Sequence, residues 1–216
     1  DSVWLDLETI VESVLDVRNA VTESRRKFLN QINATEDAWI SPQEWDSCFS
    51  VDVKPLSPGD RIALGFDGSK SGDFTALVAC RISDGALFPL KVWNPERYPN
   101  GEVPRDDVDA MVHYAFGRYD VVAMRADVKE FESYVDQWSA KYRKQLIVNA
   151  SSSNPIAFDM RGMQKQFAFD CEHFQNAVVE RDVVHDGNAM LRTHVLNAHR
   201  HPTQWDSISI RKASKD

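Results

Sequence analysis

RIALGFDGSKSGDFTALVACRI, residues 61–82, reads as strand, tight polar loop, strand. Ile62, Leu64 and Phe66 alternate with Ala63, Gly65 and Asp67, the period of an extended strand. The alternation stops at Asp67, and GSKSGD follows. Gly68 and Gly72 permit positive φ there, and Ser69 and Ser71 form turns. A second apolar run then leaves the loop. Asp67 therefore caps an apolar strand, and Asp73 closes the loop. A carboxylate at a buried strand end is costly unless it is paired, hydrogen-bonded or bound to a cation. Turn residue and metal ligand both stand as readings of Asp67 on this stretch alone.

Outward from it, the N-terminal side holds two pieces. Leu7, Ile10, Val11, Val14 and Leu15, then Phe28, Leu29 and Ile32, recur at helical spacing across residues 1–33. Ser41, Pro42 and Glu44 give a helix start, with Ser as N-cap and Pro in the first turn. VDVKPLSPGD reads as a linker, which places a boundary between a helical segment, 1–58, and a main domain, 59–216. The chain begins without methionine on a helical pattern, so a piece of a longer protein is expected.

On the C-terminal side, Asp84-Gly85 between apolar runs predicts a two-residue turn and a third antiparallel strand. Pro104, Asp106 and Asp107 open a helix that buries Val108, Met111, Val112 and Ala115. YDVVAMRADV is a fourth strand, and again an aspartate, Asp127, stands at its end. A helix with Phe131, Tyr134, Val135, Trp138 and Tyr142 on one face follows. Leu146, Ile147 and Val148 read as a fifth strand. Asn154 and Pro155 start a long helix running to Val178, and a last helix carries Leu191, Val195 and Ala198. His199 and His201 read as solvated turn residues, and His185 as a surface histidine, with a second role as a general acid open.

Composition bounds the partners. The 216 residues carry a net charge of −8, so any polyanion must meet local basic patches rather than a basic surface. Candidates for phosphate contact are Arg125, Lys129, Arg161, Lys165 and Lys212; an exposed charged face or a salt bridge explains each equally simply. Three widely spaced cysteines do not suggest a disulfide framework. No apolar run has the length of a membrane span, and no signal peptide is apparent.

Three antiparallel strands, then helix, strand, helix, strand, helix, resembles the ribonuclease H-like fold: a mixed five-stranded α/β sheet flanked by helices. In that fold Asp67 and Asp127 fall where the first two metal-binding carboxylates stand. More narrowly, the chain resembles the C-terminal nuclease domain of the large terminase subunit of tailed bacteriophages over nearly its whole length. The resemblance rests on SRRKFLNQINATEDAWISPQEWDSCF, GFDGSKSGDFTALV, VVAMRADV, FQNAVVERDVVHDGNAMLRTHVLNA and ISIRKASKD, in that order. It implies a divalent-metal-dependent endonuclease that cuts concatemeric double-stranded DNA, with two Mg²⁺ or Mn²⁺ ions about 3.5–4 Å apart. It also implies an ATPase domain in the same polypeptide, a portal protein and small terminase subunit as partners, and the host cytoplasm. No G-x-x-x-x-G-K-[ST] is present, so this piece should not hydrolyse ATP. The family's third acid follows a lysine-bearing strand like IRKASKD, and here the sequence stops at Asp216, so a final helix is expected to be missing. Asp186 is a candidate for that acid, and Asp73 for an extra ligand. A junction resolvase or transposase-like enzyme of the same fold, or a non-catalytic DNA-binding or portal-docking module, remains the alternative.

Overall fold

The computed structural model describes Val11 and residues 38–212. The helical pattern before residue 34 lies outside the described residues.

Five strands form the central sheet: β1 (Arg61–Asp67), β2 (Thr75–Arg81), β3 (Ala86–Trp93), β4 (Asp120–Ala126) and β5 (Val184–His185). Their order is β4-β1-β2-β3-β5. β2 is antiparallel to β1 and to β3, while β4 runs parallel to β1 and β5 parallel to β3. This is the ribonuclease H-like sheet expected from the strand order.

β1 and β2 alternate in burial because the two faces of the sheet meet different surroundings. Ile62, Leu64, Phe66, Leu77, Ala79, Met124 and Ala126 face one side. There they meet α2 (Arg105–Arg118), through Val108, Val112, Ala115 and Phe116, and α3 (Glu132–Tyr142), through Val135 and Trp138. Phe66, the last buried residue of β1, sits edge-to-face on Phe131 at 5.1 Å and on Trp138 at 5.4 Å. Those contacts fix the strand end that carries Asp67. Asp107 does more than open α2: its carboxylate accepts from Lys91 Nζ and Trp93 Nε1, both at 2.7 Å, tying the helix to β3.

The second core gathers Trp39, Ile40, Trp45, Cys48, Leu87, Cys171, Val178 and Val183. It joins α1 (Pro42–Asp46) to α4 (Gln164–Glu180). α1 begins as expected: Glu44 N–H donates to Ser41 Oγ at 3.2 Å, and Ser41 N–H donates back to Glu44 Oε2 at 2.8 Å. Trp39, Ile40, Trp45 and Cys48 thus share one core with Leu87 of β3. Arg81, only 8% exposed, reinforces this by donating to Lys54 O at 2.9 Å, to Asp60 and to Asp84.

Four local expectations are corrected. The β2–β3 connection is a four-residue loop, 82–85, closed by Gly85 N–H to Arg81 O at 3.0 Å. Gly85 has φ 67°, and a Cβ there would stand 2.1 Å from Asp182 O, so glycine is required. Residues 146–148 make one parallel bridge, Val148 to Ala123, and no named strand; Ile147 and Val148 are 69% and 56% exposed. The fifth strand is instead β5, on the opposite edge. The long helix starts at Gln164, ten residues late, because Asn154 Oδ1 accepts from Ile156 and Ala157 N–H, while Ala126 N–H donates to Ile156 O and Phe158 N–H donates to Ala126 O along the β4 edge. Finally, after α5 (Ala189–Leu196), residues read as turn and tail form a separate hairpin, β6 (Ala198–Pro202) with β7 (Ile208–Lys212). His199 and His201 are strand residues of β6.

Candidate active site

Asp67 and Asp127 leave the ends of two adjacent parallel strands. The register pairs Phe66 with Ala126, and Asp127 N–H donates to Phe66 O at 3.1 Å. The odd-numbered residues of both strands, Gly65, Asp67, Arg125 and Asp127, line a cleft of about 630 Å³ on the sheet face below α4. Phe158, Met160, Phe167, Asp170 and Ile210 form its far wall.

Gly68 explains how the chain turns away after Asp67. Its φ is not positive; the requirement is space. A Cβ would lie 2.5 Å from Phe131 Cδ2 and 2.8 Å from Phe66 Cε1. The backbone therefore rides directly on the rings that anchor β1. Beyond it, Ser69 N–H donates to Thr75 Oγ1 at 3.0 Å, and Thr75 is fully buried, which folds the loop back on itself. Asp73 Oδ1 accepts from Phe74 N–H at 2.9 Å, and its other oxygen pairs with Lys212 of β7.

The electrostatics follow from this crowding. Asp67 is exposed by surface area, yet protein atoms packed around the cleft desolvate its carboxyl. Desolvation first, and the negative charge of Asp127 second, push its pKa above the usual aspartate value, while the Lys212 ammonium pulls the other way. The Asp67 carboxyl, desolvated and beside the Asp127 carboxylate, is an oxygen donor short of nearby positive charge. Hard divalent cations take such oxygen donors and offset their charge. Among the described residues no third His, Cys, Asp or Glu completes a metal-holding group with them. The donor chemistry fits a divalent cation on Asp67 and Asp127, with further positions left for other oxygen ligands.

The remaining candidates are spread out. Arg125, on the cleft floor, pairs with Asp170 of α4 and lies 4.8 Å over the Phe158 ring. Lys129 is exposed in the turn after Asp127. Arg161 is held by Asp159 at 2.9 and 3.0 Å, and Lys165 stands 5.8 Å over Phe169 on the exposed side of α4. Asp186 follows β5 at the opposite edge of the sheet and accepts from Asn188 N–H at 3.0 Å; it does not line the cleft. His185 is buried, stacks on Trp45 at 4.4 Å, accepts from Gly187 N–H through Nδ1 and so donates through Nε2 to Trp45 O. Both of its nitrogens are engaged, so neither the surface reading nor the general-acid reading holds. Asp170 was not singled out in the sequence, although a signal existed: it falls three residues after Phe167 and four before Phe174, on the inward stripe of its helix.

A five-stranded sheet of this order has the ribonuclease H-like fold of solved phage large terminase nucleases. The HK97 bacteriophage large terminase superposes with a TM-score of 0.61 at 20% identity, covering 89% of this chain and 43% of that one. The large terminase nuclease of thermophilic phage G20c gives 0.57 at 11%, covering 83% and 91%, and its magnesium-bound form gives 0.54. In sequence, the gene 13 protein of Mycobacterium phage L5 is 62% identical over all of this chain, which spans 38% of that relative's length. No model of a known protein family matches.

Proposed function

We propose that this chain is the nuclease unit of a phage DNA-packaging terminase, a divalent-metal-dependent endonuclease that cuts concatemeric double-stranded DNA. The observation that carries the reading is the pairing of Asp67 and Asp127 at neighbouring strand tips in one cleft, with Asp67 held at a raised pKa. Bound there, Mg²⁺ or Mn²⁺, as two ions when the site is complete, would activate water and stabilise the leaving oxygen. The chain's own part is to hold and orient: Asp67 and Asp127 supply the oxygens, Phe66 and Phe131 fix their backbone, and Asp73 is a reserve oxygen donor engaged by Lys212. Arg125, with Lys129, Arg161, Lys165 and Lys212, would contact phosphate; Asp186 has no part in this reading. The G20c nuclease with magnesium bound supports the choice of cation by analogy of fold. The relatives' greater length supports a longer polypeptide, and within this reading that polypeptide carries an ATPase domain and works with a portal and a small subunit in the host cytoplasm.

The test is a supercoiled plasmid incubated with the chain in Mn²⁺, Mg²⁺ or EDTA. Nicking in metal that vanishes in EDTA and in Asp67→Ala is the expected result. Binding without cutting in any metal would overturn it and favour a non-catalytic DNA-docking module. Preferential cutting of a four-way junction would favour a resolvase.

A further inference from the structure

Met160, Phe167 and Ile210 wall the acidic cleft on one side and a second cavity, of about 520 Å³, on the other. That volume lies within the range of small-ligand sites, roughly 300–1,000 Å³. Arg161, Gln164, Gln204 and Trp205 complete the lining that matters here. Trp205 stands in the β6–β7 turn, and the turn is tightly made. Thr203 N–H donates to Ser207 O at 2.9 Å, Trp205 N–H donates to Thr203 Oγ1 at 3.3 Å, and Asp206 takes φ 52° to close the loop. The Trp205 side chain, half-buried at the tip of this hairpin, lines the cavity with Ile210 of β7 beside it.

We propose that this cavity receives one unstacked nucleobase of the strand whose phosphodiester lies in the acidic cleft. The inference rests on the nuclease reading above. Three observations carry it. The two cavities share Met160, Phe167 and Ile210, so the second lies within one side chain's thickness of the acidic cleft, next to the nucleotide that neighbours the scissile position. Trp205 and Phe167 offer aromatic faces, on which any base stacks. The amides of Gln164 and Gln204 offer both donors and acceptors to a base edge, and Arg161 stands exposed at the rim with its guanidinium oriented by Asp159. A base inside a duplex must leave its stack to enter, which is easiest at a mismatch, a frayed end or a bend.

The test measures binding of the 216-residue chain to a short duplex in EDTA, so that no cutting is required. One strand is scanned with single abasic sites, and in parallel with 2-aminopurine. At one position the abasic site should weaken wild-type binding about 5-fold or more, a typical value for one stacked base. At that position Trp205→Ala should add no further loss, whereas on intact DNA it should lose the same factor and Trp205→Phe should keep most of the affinity. The 2-aminopurine emission should change at that position alone, which decides the matter with wild-type protein even if Trp205→Ala does not fold. The absence of any position-specific signal, through uniform or undetectable binding, overturns the inference. Metal-dependent nicking without such a signal refutes the base cavity alone, and the signal without nicking refutes the nuclease reading alone.

Discussion

Gly68→Ala probes how the site is held without touching a carboxylate. The added methyl would sit 2.5 Å from Phe131 Cδ2 and 2.8 Å from Phe131 Cε2 and Phe66 Cε1. Ordinary carbon contacts begin near ~3.5 Å, so something must move by about 1 Å. The rings have little room to move: Phe131 and Phe66 are 1% and 4% exposed, and Phe66 is pressed against Trp138 as well. The strain must therefore pass into the backbone that carries Asp67. Overpacking of this kind costs about 1–3 kcal/mol. At roughly 2–4 °C per kcal/mol for a chain of this size, the melting temperature falls by about 2–12 °C. A displacement of about 1 Å at a reacting centre can cost on the order of 100-fold in rate, so nicking should fall by more than the stability loss explains. Thermal melts with and without Mn²⁺, paired with the plasmid assay, measure both. Phe131→Leu combined with Gly68→Ala should be less destabilised than the sum of the single changes, by at least about 0.5 kcal/mol. A Gly68→Ala protein with wild-type melting and wild-type response to Mn²⁺ would refute the account of Gly68 as a glycine set by close approach.

Two further outcomes are expected. Because the Asp67 pKa is raised in the fold, its neutral form stabilises the protein at acid pH, and that stabilisation is lost as pH rises through the raised value. In EDTA, Asp67→Asn should therefore melt above wild type near neutral pH, and the gap should shrink as pH falls towards the ordinary aspartate range; an offset that does not change with pH refutes the sign. Burial pushes the Cys171 thiol up to about 12, so iodoacetamide should leave it unmodified in the folded chain and label it on unfolding; labelling of native protein at mild alkaline pH would show that the second core opens.

The parts of the fold legible in the sequence were those where period and burial agree. β1 and β2 alternate cleanly, and α2 and α3 show their buried stripes, so the sequence pattern alone places Asp67 and Asp127 at strand tips. Failures came where apolar character and burial part company. Ile147 and Val148 are apolar but exposed, and β5 is two residues long, too short for any period to register. The hairpin strand AHRHP contains hardly an apolar residue, and its pairing with ISIRK is a non-local choice. Gly68 looked like a turn glycine because sequence shows the residue but not the ring it passes. Asp170 and Trp205 were missed since each acquires a role only from what the tertiary fold sets opposite it.

The bridge between Ala38 and His199 has a mechanical consequence. A pull applied to the backbone at residue 38 would not be absorbed by slack. It would load β6, pass through the paired strands to Lys212, and arrive at Asp73 beside the acidic cleft. Residue 38 is thus tied, through one bridge and one hairpin, to the strand whose Lys212 pairs with Asp73.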